Sequence, residues 1–328
     1  MDKPFKSYNQ QMRYLRETKK IDCKGSKHKA ILIKHGYFNL INGYKTPFII
    51  GKDANGNHRY IGGTSIDHFK AVKEFDDNIR YILLTYITRC EEEIRTLTGH
   101  KFDFVNGNGA SEWFEVDSYD PTLSTQDKIK VIAACYNEVN ISKQPYVKHY
   151  LEEHNSVPTW IFIKVIKFST FINFIKICKP QVINSICELY QIHDSYGNIK
   201  PELLISILHW MRTIRNACAH NERIYGINRE NARVKQPFDT FLSNPKPYTN
   251  HRSQRLIDIV IYLRYFLNDT DYQKFIYSIK EAFDSLKAQL NQNAFQKVRA
   301  ETGIKNLDIL DELSDISKPI LYNNFENL

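Results

Sequence analysis

The side chains best suited to chemistry cluster in one stretch of the sequence, residues 201–226. They are Arg215, Asn216 and His220, flanked by His209, Arg212, Thr213 and Arg223. An arginine can bind a phosphate through two parallel hydrogen bonds and can stabilise developing negative charge. A histidine can exchange protons near neutral pH, and an asparagine can orient either partner. Together these residue types favour an anion site, above all one for a phosphodiester.

The same stretch is predicted to form one amphipathic helix. Pro201 suits a first helical position, and Gly226 suits the residue that stops the helix. At about 100° per residue, the apolar side consists of Leu204, Ile207, Met211, Ile214, Cys218 and Tyr225. The opposite side carries His209, Arg212, Thr213, Asn216, His220 and Arg223, with no carboxylate among them. Arg215 lies on the shoulder, about 100° from Asn216, and its long side chain can swing toward this polar face. An ordinary solvated face mixes both charges, although polar faces of this kind also occur without any function.

Composition places the chain among globular proteins and leaves a nucleic-acid partner open. It has 328 residues, 42% of them hydrophobic, which is enough for a sizeable core. The formal net charge is +8, and the isoelectric point is about 9.0. Such a balance is compatible with nucleic-acid binding but does not demonstrate it.

Cysteine usage and hydropathy predict a cytoplasmic protein with no membrane span. None of the six cysteines forms a CxxC pair or stands at zinc-ligand spacing with histidine. They therefore read as reduced, mostly buried thiols, and Cys218 as a core residue rather than a nucleophile. The N-terminus has no signal-peptide pattern. The apolar run 160–177 is interrupted by Lys164, Lys167 and Lys176, which predicts a buried core helix instead of a transmembrane one.

Periodicity predicts a mainly α fold. A long helix is expected from Thr64 to a stop at Gly99, and a small hairpin or irregular loop near 51–63 with its turn at Asn55-Gly56. Residues 227–250 read as an extended surface crossing. The predicted organisation of the whole chain has four segments: an N-terminal helical segment and loop (1–63), a helical core (64–226), a C-terminal helical pair packed on it (227–293), and a mobile tail or small appended piece (294–328).

Other kinds of site are not indicated. The sequence contains no Gly-rich phosphate loop, no paired DxD carboxylates and no HExxH. The acidic run Glu91-Glu92-Glu93 is interpreted as a solvated face or as a set of partners for Arg89 and Arg95, rather than as a metal site. We therefore expect no metal and no cofactor.

The string from Arg215 to His220, RNACAH, resembles the R-x(4–6)-H signature of the HEPN superfamily of helical domains. The wider string RNxxAHNxR, ending at Arg223, resembles Abi-like abortive-infection proteins of the AbiD/AbiF type. Further elements resemble that family in the same order along the chain: Gly36-Tyr37-Phe38 with Gly43-Tyr44, Phe75-Asp76 with Arg80, Glu91 to Arg95, His149-Tyr150, and Pro158-Thr159-Trp160. The acidic residue expected after Trp160 is missing, and the chain past about 230 matches nothing in the family.

The resemblance implies a HEPN-type helical bundle with additional helices, acting as a metal-independent endoribonuclease toxin of phage defence. Family members cut RNA by attack of the 2′-OH on the adjacent phosphate. By position, Arg215 would stabilise the phosphorane charge, His220 would transfer protons or bind phosphate, and Asn216 would orient the pair. Since family sites form where two such helices face each other, a homodimer is expected to complete the site. His209, Arg212 and Arg223 then become candidate RNA contacts.

Two other interpretations stay open. The polar face could bind RNA without cutting it, or the toxin could be held by a cognate small RNA, as in some toxin–antitoxin pairs. Alternatively, the face could be a protein interface of a plain helical interaction protein. The sequence specifies neither the RNA target nor the trigger.

Overall fold

The computed structural model describes residues 4–107, 112–193, 196–230 and 253–315, and confirms a mainly α-helical chain. The helices in these ranges are α1 (Tyr8–Glu17), α2 (Gly25–His35), α3 (Ile66–Asn106), α4 (Thr125–Asn140), α5 (Pro145–His154), α6 (Thr159–Val165), α7 (Phe168–Ile177), α8 (Pro180–Leu189), α9 (Pro201–Ala219), α10 (Leu256–Phe266), α11 (Asp269–Gln289), α12 (Gln292–Thr302) and α13 (Asp308–Asp315). Their buried side chains form one continuous core that extends from Met12 to Leu313.

Two short antiparallel strand pairs accompany the helices. Strands β1 (Ile49–Lys52) and β2 (His58–Tyr60) form the predicted hairpin, and Gly56 turns it with φ of 78°. A positive φ of this size is easy for glycine and strained for most other residues. Strands β3 (Arg229–Glu230) and β4 (Ser253–Gln254) pair across 231–252. The predicted surface crossing at 227–250 therefore falls mostly outside the described residues.

Helix α3 is the axis of the fold, and its predicted end was wrong. It has 41 residues, about 60 Å at 1.5 Å per residue, and contacts α6, α8, α9 and α11. It passes through Gly99 and ends at Asn106, and the next residue, Gly107, takes the left-handed conformation. A side chain at Gly99 would meet Ile163 at 3.5 Å. Gly99 is therefore a point where α6 packs closely against α3, and tertiary packing outweighs the modest helix propensity of glycine.

The apolar run 160–177 is largely buried as predicted, although Trp160 at its start is exposed, and it forms two helices instead of one. The chain is extended at Ile166, with ψ of 145°, and this separates α6 from α7. The guanidinium of Arg95 on α3 stabilises the break, because it donates to the carbonyl oxygens of Ile163 (2.7 Å) and Ile166 (3.0 Å). No proline or glycine marks the interruption, because the partner that satisfies the helix end comes from elsewhere in the chain.

Helix α9 also ends earlier than predicted, at Ala219 rather than Gly226. Asn221 adopts the left-handed conformation with φ of 55°. The Glu222 N–H donates to the carbonyl of Ala217 (2.9 Å), and the Asn221 N–H donates to that of Cys218 (3.2 Å). This hydrogen-bond pair is the Schellman motif. His220 and Arg223 consequently do not extend the polar face of the helix; they lie on the turn that follows it.

The C-terminal part packs on the core. Helices α10 and α11 contact each other, and Asn268 caps α11 by accepting the Asp271 N–H. Part of the predicted tail is helical: α12 and α13 bury side chains such as Phe295 and Leu310. The division into four segments stays a prediction. Within the described ranges, no helix has both the length and the apolar character needed to cross a bilayer.

Candidate active site

The C-terminal half of α9 presents its polar side chains toward α3 and the α6–α7 break. Arg215 is half-exposed, and its Nε lies 3.6 Å from Oε2 of Glu91 on α3. Its Nη1 also donates to Oδ1 of the neighbouring Asn216 (3.2 Å). The polar face thus gains a carboxylate from another helix. Glu91 and Asn216 together restrict where the Arg215 guanidinium points.

Glu91 is itself held by a second arginine. Arg95, one turn further along α3, donates from Nη2 and Nε to Oε1 of Glu91 at 2.7 and 3.1 Å. Arg95 also lies 4.8 Å from the ring centroid of Phe171 on α7. Both members of the pair are buried, so each is costly to leave alone. The pair fixes Glu91 and leaves its other oxygen for Arg215.

These residues line a cavity of about 470 Å³, which we call the arginine pocket and define by Glu91, Lys164, Arg212, Arg215 and Asn216. Arg95 and Lys167 also contribute to its wall. Cationic groups outnumber the single carboxylate, and Glu91 is already paired with Arg95. Lys164 and Lys167 are the charges that interrupt the apolar run of the sequence. The pocket can therefore hold an anion. Arg215 and Asn216, which are hydrogen-bonded to each other, are neighbouring donors in its wall.

His220 lies on a different side of the helix end. It is exposed and forms the C-cap of α9. It lines a second cavity, of about 760 Å³, which we call the histidine pocket and define by Lys34, Phe38, Tyr81, His220 and Arg223. The structure therefore brings Arg215 together with Asn216 and Arg212, but it places His220 and Arg223 in a separate cavity. The polar face, which was expected to be continuous, is therefore divided in two at the end of the helix.

A buried carboxylate holds the turn that carries His220. Asp76 on α3 accepts the backbone N–H groups of Ile224 (3.0 Å) and Tyr225 (2.7 Å) through Oδ1. Its Oδ2 accepts the Tyr44 hydroxyl (2.9 Å) and Nη1 of Arg80 (2.6 Å). Tyr44, Asp76 and Arg80, which belong to two of the family-like elements, thus meet at one point.

Arg80 completes this anchor from the other side. Its Nη1 also donates to the carbonyl of Glu222 (2.9 Å), and its Nη2 pairs with Asp77. The turn after α9 is therefore tied to α3 by both a carboxylate and a guanidinium. Because buried side chains of α3 hold this turn, the position of His220 follows from the core rather than from its own side chain.

His209, predicted as an RNA contact, is an acceptor at the margin of the arginine pocket. Its Nε2 lies 2.9 Å from Nζ of Lys176 on α7. Burial, then the charges of Lys176, Arg212 and Arg229, lowers the pKa of His209 to about 4. His209 is thus neutral near pH 7 and orients the Lys176 ammonium beside Arg212 instead of adding a charge of its own.

Two further interpretations of the sequence concern Cys218 and the acidic run of α3. Cys218 is buried, and burial raises the pKa of its thiol to about 12, which confirms a core role over a nucleophilic one. Within the acidic run, Glu91 pairs with Arg95 as expected. Arg89 binds Asp271 on α11 at 2.8 Å.

Sequence reasoning missed the groups that other elements bring to α9. The sequence indicates Glu91 as part of an acidic run that can pair with Arg95, and Lys164 as an interruption of an apolar segment, but it places neither residue beside α9. The hydrophobic periodicity of the sequence does not single out Phe38 or Tyr81. The best available signal for Glu91 is its spacing of four from Arg95, which is typical of a pair on one helical face.

A family model described as "Abi-like protein" matches residues 30–226, more than half of the chain. This range covers α3 to α9 and contains Asp76, Glu91, Arg215 and His220. No curated protein and no solved structure matches the sequence.

Proposed function

Because the chain belongs to the Abi-like protein family, we propose that it is an abortive-infection endoribonuclease of HEPN type. In this role it cuts RNA in phage-infected cells without needing a metal ion. The observation that supports this best is the arginine pocket, where Glu91 and Asn216 fix Arg215 at a cation-rich cavity. A fixed guanidinium in such surroundings suits the trigonal-bipyramidal phosphate of RNA cleavage.

The proposed reaction needs only proton transfer and charge stabilisation. The ribose 2′-OH loses its proton and its oxygen attacks the adjacent phosphorus. The bond to the 5′-oxygen of the next nucleotide breaks, and that oxygen takes up a proton. The products are a 2′,3′-cyclic phosphate and a 5′-OH. In the proposal, Arg215 stabilises the phosphorane charge, His220 moves a proton, and Asn216 keeps Arg215 in place.

The proposed site is completed by a second copy of the chain. In one copy, Arg215 and His220 line different cavities. If two copies pair along the ends of their α9 helices, the arginine pocket of each can face the exposed His220 of the other. Such an isologous arrangement uses the same surface twice and produces two equivalent sites.

The test is cleavage by the full chain in EDTA. A 5′-labelled single-stranded RNA is incubated with wild type, Arg215→Ala and His220→Ala, and the product ends are analysed for a 2′,3′-cyclic phosphate. We expect each variant to lose at least about 100-fold in rate. Arg13→Ala and His154→Ala serve as controls, since both residues are exposed and outside the two pockets. Undiminished cleavage by both variants contradicts the proposal.

The dimer has its own test. Two inactive variants, Arg215→Ala and His220→Ala, are mixed, and cleavage is measured. Mixed dimers contain one site that keeps both residues, so we expect activity to return to roughly a quarter of wild type if the copies exchange randomly. No recovery, although exchange is confirmed by a tagged chain, would contradict a site shared between copies.

A non-catalytic RNA-binding role is the second candidate, and one observation favours it. Lys176, Arg212 and Arg229 surround the neutral His209, so cationic surface continues along α9 beyond Arg215. A longer RNA, such as a small RNA that holds the toxin inactive, could follow it. Tight binding whose affinity falls steeply with salt, without any cleavage, would favour this role.

A further inference from the structure

Two exposed aromatic rings lie in the histidine pocket. Phe38 is 73% exposed and Tyr81 is 76% exposed, and both line the cavity that contains His220. A single exposed aromatic side chain is ordinary on a protein surface. Two of them in one cavity with cationic groups form the arrangement that proteins use to bind unpaired nucleobases.

Phe38 differs from its neighbours in having no part in the core. It belongs to the π-helical turn Phe38–Asn42, in which Leu40 and Ile41 are buried. Tyr44, two residues after that turn, is also buried and donates to Asp76. The same turn that anchors the fold therefore directs one large apolar ring to solvent. Tyr81 is placed similarly, one residue after Arg80 of the buried anchor.

Among the residues that line the pocket, cations outnumber carboxylates. Lys34 and Arg223 are exposed. The carboxylate in the lining, Asp77, is already paired with Lys73 at 2.7 Å and with Arg80. Arg223 donates to the carbonyl of Gly43 (3.0 Å), which holds it at the rim beside the turn that carries Phe38. Phosphate groups would therefore find the cations of Lys34 and Arg223 in the same cavity as the rings.

We propose that the histidine pocket is a nucleobase subsite, in which an unpaired base of single-stranded RNA stacks on Phe38 or Tyr81 while Lys34 and Arg223 contact its phosphates. The cavity, at about 760 Å³, is large enough for one nucleotide or two. A base within a duplex has no free face to stack, so the pocket selects single strands. The inference deepens the proposed function, since it rests on the part of that proposal in which the chain binds RNA.

Binding of an uncleavable strand tests the subsite. A fluorescent 2′-O-methyl single-stranded oligonucleotide, which lacks the attacking hydroxyl, is titrated with the full chain. We expect Phe38→Ala and Tyr81→Ala each to weaken binding by about tenfold, and Tyr81→Phe to bind like wild type. The controls are Phe104→Ala and Tyr277→Ala, which remove rings that are 64% and 62% exposed outside this pocket. Melting curves verify that all variants are folded.

An abasic strand of the same length identifies the cause. Wild type should bind it about as weakly as the Phe38→Ala/Tyr81→Ala double variant binds the normal strand, and the double variant should not distinguish the two strands. Equal losses on both strands, or equal wild-type affinity for a duplex, would overturn base stacking. If the substitutions change the sedimentation coefficient but not RNA affinity, the rings belong to a protein interface and the subsite is rejected.

The outcome separates this inference from the nuclease proposal. If Arg215→Ala and His220→Ala abolish cleavage while the aromatic variants bind the strand normally, only the subsite fails. If wild type never cuts RNA but the aromatic variants bind the strand tenfold less tightly, the subsite stands and the nuclease proposal fails.

Discussion

Two acid–arginine pairs on α3, Asp76 with Arg80 and Glu91 with Arg95, have the same spacing and are both buried, yet they act differently on α9. All the hydrogen bonds of Asp76 go to the fold: to Arg80, to Tyr44 and to two backbone N–H groups after α9. Glu91 uses one oxygen for Arg95 and turns the other toward Arg215. The comparison shows how one motif can supply an anchor at one position and orient a functional side chain at another.

The physical reason lies in what each carboxylate faces. Asp76 meets backbone donors, which cannot move away without unfolding the turn. Glu91 meets a long side chain that is 39% exposed, so its contact is adjustable and screened by solvent. We therefore expect loss of Asp76 to appear mainly as lost stability, and loss of Glu91 mainly as lost activity.

The largest expected effect is that of Asp76→Ala. It leaves the Arg80 guanidinium and two N–H groups buried without their acceptor, so the free energy of unfolding should fall by about 3–5 kcal/mol. Urea denaturation measures the loss. Asp77→Ala is the matched control, because it removes a half-exposed carboxylate that also contacts Arg80 and should cost about 1 kcal/mol or less. Equal losses in the two variants would show that Asp76 is no special anchor.

Glu91→Gln should have a smaller effect on stability and a clear one on cleavage. Glutamine keeps the size but removes the charge opposite Arg95 and Arg215, so we expect a loss of about 1–3 kcal/mol in unfolding free energy. Because Arg215 is then less well oriented, kcat should fall about tenfold with little change in KM. The exposed Glu92→Gln on the same helix is the control. A similar drop in that variant would mean that the effect is not transmitted through Arg215.

The smallest effect concerns His209, which has cationic neighbours instead of an acid. Its pKa in the folded chain is about 4, below the usual value near 6.5, so the unfolded chain binds the proton more readily. Stability should therefore be lost as pH falls from about 6.5 toward 4, and His209→Asn should flatten that part of the pH–stability curve. NMR titration of the imidazole checks the pKa directly. A midpoint near 6.5 would show that the surroundings of His209, including Lys176 and Arg212, do not lower its pKa.

Local pattern predicted the helices well and their ends poorly. The long helix expected to begin at Thr64 begins at Ile66, and the Asn55-Gly56 turn sits where the hairpin needs it. The errors at Gly99 and at Ile166 share a cause, since each boundary depends on packing between α3 and α6. The early end of α9 had a local signal, Asn221 in place of the usual glycine.

The sequence by itself determined the ingredients of the candidate site. An apolar periodicity buries one side of α9 and leaves Arg212 and Asn216 on the other, with Arg215 on the shoulder, and this follows from residue types and helical spacing alone. Only the tertiary structure decided that Glu91 would join Arg215, and that His220 would face a different cavity beside Phe38 and Tyr81. Such contacts join residues far apart in the chain, and they are set by how the core packs, which no local pattern encodes.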